Sequence, residues 1–365
     1  DLGIHENDLI VATHGRSFWI LDDITPLRQL ADVKADSQTY LFKPEDGYRV
    51  RRSTNPDTPI PPDEPAGKNP PDGAILDYLL AQPASGAVTL EIMDPQGKLV
   101  RRFSSDDKPE VSQADLEKQI IPLYWIRMQK ILPPSAGMHR WVWDLHYPSP
   151  VALQHEYPIA AVPNDTPRSP LGPLAIPGEY TARLTVNGHT FTQTFTVKLD
   201  PRVNLAPAAI EQQFTLEMRL ASELTSTTEA VTEARSILDQ LHKIEGQAKG
   251  ALADSIKALD QRVGMILRGP TPPVAGAPPE PNLTRESAAV GMLYGAIGQA
   301  DAAPTTAQLN AVAETERELS TVMKRWNEIK TTDLPALNRG LKKANLPEIH
   351  IETKVQKEDA GSDLE

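Results

Sequence analysis

The chain has 365 residues, no cysteine, 34 prolines and a formal net charge of −12. The absence of cysteine excludes disulfides, thiolate catalysis and Cys-ligated metal. Acidic and basic residues are interleaved, which argues against a sequence-blind nucleic-acid binder and against docking to an anionic membrane by charge alone. No apolar run approaches the ~20 residues that span a bilayer, so no transmembrane segment is expected. No basic-then-apolar leader stands at the start, so an export signal, if the parent has one, is expected upstream.

Asn7 to Ile24 reads as strand, tight turn, strand: Leu9, Ile10 and Val11, then His14-Gly15-Arg16-Ser17, then Phe18 to Leu21. A lone hairpin is marginal in water, and the chain continues into a proline-rich stretch without offering further strands. Residues 1–30 are therefore expected to be the edge of a larger β structure. Residues 31–72 carry Pro44, Pro56, Pro59, Pro61, Pro62, Pro65, Pro70 and Pro71 and read as a linker with Leu41 and Phe42 as local anchors.

From Gly73 to Val203 the pattern is β. Ala74–Leu80 is one strand; Val88, Leu90 and Ile92 form a second; Asp94-Pro95-Gln96-Gly97 turns the chain into Leu99–Phe103. Gly137 to His146 is a further strand with Trp141, Trp143 and Leu145 on one face. Tyr180, Ala182, Leu184 and Val186 alternate up to Asn187-Gly188, after which Phe191, Phe195 and Val197 return; Asn-Gly between alternating strands marks a type I′ hairpin. The spacing predicts a small antiparallel, immunoglobulin-like sandwich interrupted at 104–136 and 148–176, the first excursion holding a short helix near Gln113–Gln119.

After Asp200-Pro201 the period becomes helical. Ile210, Phe214, Met218, Ala221 and Leu224 open a long helix to about Ile244, and Leu252, Ile256, Leu259, Val263 and Ile266 form a second stripe. Asn282 can cap a third helix, whose Gly291, Gly295 and Gly298 permit close packing, and a fourth runs from Thr305 to about Lys330. Short loops predict an antiparallel bundle over 204–350, and 351–365 reads as a disordered tail. The fold class is thus mixed, all-β followed by all-α.

Chemistry is sparse. None of the eight histidines pairs at i, i+4, and HExxH, GxSxG and GxxxxGK[ST] are all absent, so no catalytic residue, metal or cofactor is expected. Asp22 and Asp23 are adjacent, point to opposite sides of a strand and suit turn chemistry better than glycoside cleavage, which needs carboxylates flanking one bond. Arg49, Arg51 and Arg52 read as a solvated basic patch with a carboxylate-binding alternative. Trp141 and Trp143 share a face and are expected in the core. His14, Arg16, Tyr124 and Trp125 remain as candidate partner-binding residues: the first two lie in an exposed turn, the others in an excursion where an aromatic can stack on a sugar or a side chain.

NDLIVATHGRSFWILDDITPLRQL (7–30), PPDEPAGKNPPDGAILDYLL (61–80), GMHRWVWDLHYP (137–148), PGEYTARLTVNG (177–188) and VKLDPRV (197–203) together resemble the C-terminal part of sortilin-like, BNR-repeat β-propeller proteins, exported bacterial proteins often labelled glycosyl hydrolases. The resemblance implies a closing propeller blade, then the sandwich, then helices, in a secreted, periplasmic or cell-surface protein. It implies as partner the remaining blades, on an upstream or separate polypeptide. The Asp-box S-x-D-x-G-x-x-W of such repeats is absent, so no propeller catalytic residue carries over. The expected function is a non-catalytic accessory region that braces the propeller and binds a protein or glycan. The alternatives are a piece of a glycoside hydrolase-like enzyme whose active site lies in the blades, and a self-assembling surface component joined by strand addition.

Overall fold

The computed structural model describes residues 1–34, 38–51, 57–270 and 280–351. Arg52 and the tail residues 352–365 lie outside the described residues. The chain divides into two units, 1–149 with 155–214, and 150–154 with 215–365. Strands fill the first and helices the second, so the mixed character expected from the sequence is present.

The first unit opens with β1 (Leu2–His5), β2 (Asp8–Ala12) and β3 (Phe18–Leu21), an antiparallel three-stranded sheet. The hairpin of β2 and β3 follows the sequence reading. β1 was not anticipated: the chain reverses at Glu6, a non-glycine residue with positive φ that gives no turn signal. A short helix, α1 (Thr25–Arg28), follows with Pro26 in its first turn, where a missing N–H costs nothing.

The segment read as a linker contributes two strands, β4 (Thr39–Leu41) and β5 (Gly47–Arg49). Both lie between prolines, in stretches too short to show periodicity, and each pairs on the edge of a sheet, where proline neighbours are tolerated. Beyond them come β6 (Ala74–Leu80), β7 (Thr89–Met93), β8 (Leu99–Ser104), α2 (Gln113–Leu116), β9 (Gly137–Trp143), β10 (Gly178–Val186) and β11 (His189–Leu199). One sheet has the order β5-β11-β10-β7-β8 and the other β4-β6-β9. All pairs are antiparallel except β5 with β11. The β10–β11 turn is the two-residue Asn187-Gly188, both at positive φ, with Val186 opposite His189.

Alternation explains the core. Tyr180, Ala182, Leu184 and Val186 of β10 are buried, as are Leu90 and Ile92 of β7 and Leu76, Tyr78 and Leu80 of β6. The two sheets meet through aromatic rings: Trp143 of β9 lies 5.4 Å from Tyr180 and 6.2 Å from Phe195, and Trp141 lies 4.9 Å from Phe103. Both tryptophans are buried. β9 ends at Trp143, short of the expected His146, because Leu145 turns the chain at positive φ. Gly73 enters β6 at φ 114°, where a Cβ would sit 2.0 Å from the Trp143 carbonyl oxygen, so only glycine fits.

The two excursions pair with each other. Ile126 bridges Thr166 in parallel, the Thr166 N–H donates to the Trp125 carbonyl at 2.9 Å, and Arg127 holds Asp165 at 2.8 Å.

α3 (Pro207–Ile244) crosses the unit boundary in sequence. The second unit adds α4 (Ala251–Arg268), α5 (Leu283–Gly298), α6 (Thr306–Glu328) and α7 (Leu334–Lys343). Asn282 caps α5 by accepting the Arg285 N–H at 3.0 Å, and Thr305 with Gln308 forms a capping box on α6. α7 was not foreseen, since Pro335 and Gly340 look like breakers. Pro335 sits in the first turn, and a π-helical stretch, Ile329–Asp333, carries α6 into α7 without a loop. One core gathers Leu216, Leu220 and Leu224 of α3 with Val290 and Ile297 of α5 and Val312 and Leu319 of α6. A second gathers Ile237 and Leu241 of α3, Ile256 and Val263 of α4, Trp326 of α6 and Leu337 of α7. Gly291 admits Leu224 and Gly298 admits Glu217, whereas Gly295 meets nothing.

Candidate interaction surface

Cross-strand partners in a sheet share a face, so the register of β1, β2 and β3 fixes what each side presents. Leu2, Val11 and Trp19 line up on one face with Ile4, Leu9 and Leu21. The other face carries Ile10 with Ile20 and Ala12 with Phe18. Both faces are therefore apolar, the pattern of strands covered on two sides, yet Leu2, Ile4, Phe18, Trp19, Ile20 and Leu21 are all exposed, Phe18 at 75% and Trp19 at 65%. Covering the exposed apolar side chains of β1 and β3 would stabilise by ~25 cal/mol for each Å² buried.

The base of this sheet is firmly tied. The Ile24 N–H donates to the Asn7 carbonyl at 2.7 Å, the Asp23 N–H to the Asp8 carboxylate at 2.9 Å, and Arg28 to the Glu6 carbonyl at 3.2 Å. Asp23 in turn accepts the N–H and hydroxyl of Thr25. Asp23, at positive φ, thus acts as a turn residue. From the neighbouring sheet Arg140 of β9 donates to the carbonyls of Asp22 and Asp23 while forming a two-pronged pair with Asp77 of β6. Gln29 closes the base by exchanging two 2.9 Å hydrogen bonds with the backbone of Lys43. The carboxylates gathered here feel one another. Burial and then Asp8 push Asp22 above the ordinary carboxylate range, and burial and then Asp23 push up Glu45.

His14 and Arg16 stand exposed at the tip of the β2–β3 turn. The Arg16 carbonyl accepts the Trp19 indole N–H at 3.1 Å, and the Thr13 hydroxyl donates to the Ser17 carbonyl at 2.8 Å. Tyr124 and Trp125 are half-buried in a single 3-10 turn, their rings edge to face at 6.2 Å. Their backbone carbonyls receive Asn164 and Thr166, so this pair belongs to the joint between the two excursions. No hydrogen bond, ion pair or ring contact joins His14 or Arg16 to Tyr124 or Trp125 among the described residues. The four candidates form two separate pairs.

For Arg49 neither alternative weighed for the arginine run holds. It is 1% exposed, and its guanidinium donates to the carbonyls of Leu174 and Ala175 at 2.6 and 2.8 Å, serving the backbone. Sequence reasoning also missed Asp77 and Arg140. The available signal was a single Asp inside the apolar run Ala74–Leu80, a position that demands a buried partner. Among the described residues no cluster of His, Asp and Glu is arranged to hold a metal ion, and no helix is long and apolar enough to cross a membrane. Comparison of the chain with family models, with curated proteins and with solved structures gives no match.

Proposed function

We propose that the chain is a non-catalytic accessory region of a secreted propeller-type protein, in which β1–β3 docks against further β structure and the remaining strands and helices brace it. The carrying observation is that this sheet is apolar and exposed on both faces while its base is tied to the neighbouring sheet through Arg140. A sheet built this way is preorganised to be covered, and cover is what neighbouring blades would provide. The same surface suits a protein partner, and His14 and Arg16 at its tip offer polar contacts to a protein or glycan.

The strand pairing supports the immunoglobulin-like reading of 73–203. β4 pairs with β6 on one sheet and β5 runs parallel to β11 on the other, so the leading segment switches sheets as the first strand of such sandwiches does. Tyr180 on β10 donates its hydroxyl to the Ile176 carbonyl at 2.9 Å, the geometry of a tyrosine corner. The contiguous cores joining α3 to α7 support a helical bundle.

Deleting residues 2–21 tests the assignment. The expected result is an unchanged urea midpoint for the remainder and loss of binding to a hydrophobic dye such as ANS. Collapse of the remainder would make the sheet part of the core and overturn the proposal. Hydrolysis of a polysaccharide or peptide by the chain alone would overturn the accessory reading.

A further inference from the structure

The seam where α6 meets α3 and α5 carries two carboxyl pairs, each sharing one arginine. At the first, Glu223 of α3 lies against Glu316 of α6. Arg219, one turn earlier on α3, places its Nε 2.6 Å from Glu316 Oε1. This is a contact of charges, since Glu316 Oε1 and Glu223 Oε2 are both enclosed with no hydrogen-bond donor among the described residues. At the second, Glu286 of α5, 1% exposed, lies beside Glu318 of α6. Arg285 sits 3.2 Å from Glu318 but 3.9 Å from Glu286, and Glu286 Oε1 is enclosed with no hydrogen-bond donor among the described residues. Beside the first site α5 contributes Gly291 against Leu224, while its charged Arg285 and Glu286 belong to the second site, with Glu318. Among the described residues each site therefore sets two acids beside one arginine.

Two carboxylates are both acceptors, and side by side in a partly buried seam they repel. One proton per pair converts the arrangement: the protonated acid donates to its neighbour, and the remaining negative charge matches the arginine. We infer that these two acid–acid–arginine clusters make the seating of α6 against α3 and α5 dependent on pH, tight while each pair holds a proton and loosened once the protons pass to solvent. The direction of titration agrees. Burial and then Glu316 push Glu223 up to about 7, and burial and then Glu318 push Glu286 upward. The inference is independent of the docking role of β1–β3.

Hydrogen exchange on the full chain at pH 6 and pH 8, corrected for intrinsic amide chemistry, tests it. The expected result is that protection across 306–328 falls about tenfold at pH 8, the factor carried by one pKa unit of displacement, while β10 in the other unit is unchanged. Glu223→Gln and Glu286→Gln should each reduce the pH dependence. Equal protection of α6 at both pH values, or a parallel change in α6 and β10, would overturn the inference on the wild-type chain alone, whatever the variants do.

Discussion

Asp77 and Arg140 stand directly opposite each other on β6 and β9, joined by two hydrogen bonds of 3.0 and 2.9 Å, and the same guanidinium holds the carbonyls of Asp22 and Asp23. Asp77 is 2% exposed and Arg140 29%, so a buried carboxylate meets a half-buried guanidinium that ties the base of the β1–β3 sheet to the β4-β6-β9 sheet. The pair is also what allows a charge inside an apolar strand, since the guanidinium offsets part of the cost of burying the carboxylate.

Replacing Arg140 by alanine leaves Asp77 buried without a cation and releases two carbonyls. The expected cost is about 3 kcal/mol in urea unfolding, with faster amide exchange at Ile24 and Thr25. Asp77→Asn in the Arg140→Ala background should recover part of that loss, because the orphaned charge is gone. A double variant no more stable than Arg140→Ala would show that the pair does not act as a unit.

The carboxyl pair on α3 and α6 also has a thermodynamic signature. Between the ordinary carboxylate value of 4.5 and about 7 the folded state keeps a proton on Glu223 that the unfolded chain has released. Its contribution is therefore full below the lower value and lost as pH rises through the upper. Glu223→Gln removes that dependence. The melting temperature of the variant minus that of the wild type should rise from pH 5 to pH 8 by a few degrees, corresponding to about 1 kcal/mol once solvent screening is allowed for. A difference flat across this range would contradict the assignment.

The tyrosine hydroxyl of β10 gives a sharper local test. Tyr180→Phe keeps the ring against Trp143 and removes the hydrogen bond to Ile176. The expected loss is about 1 kcal/mol, read as a lower urea midpoint with unchanged slope. An unchanged midpoint would assign the corner no energetic role.

Much of the strand and helix pattern was legible because burial imposes a period: Tyr180 to Val186 alternate, Ile256 to Val263 recur by threes and fours, and Asn187-Gly188 can do little but turn. What escaped was set by position in the fold. β5 spans only Gly47–Arg49, and its place was decided by pairing with β11, residues far along the chain. α7 was hidden behind a proline that is harmless in a first turn. The pairing of the excursions through Ile126 and Thr166 has no periodic signal at all. The candidate surface was legible as an orphan hairpin in 7–24, but the roles of Arg140 and Arg49 were not, because isolated arginines look alike on the page whether they hold carbonyls or face water.

On the proposed function, β1–β3 is a surface made to be covered. Trp19 reports on it directly, since Trp141, Trp143 and Trp326 are buried and Trp125 is half-buried. Acrylamide quenching of the Trp19 signal, isolated by difference against Trp19→Phe, should be strong in this chain alone at low concentration. It should be clearly weaker in protein isolated from its natural source in its native assembly. Equal quenching in the two would leave the sheet bare in both and contradict the account.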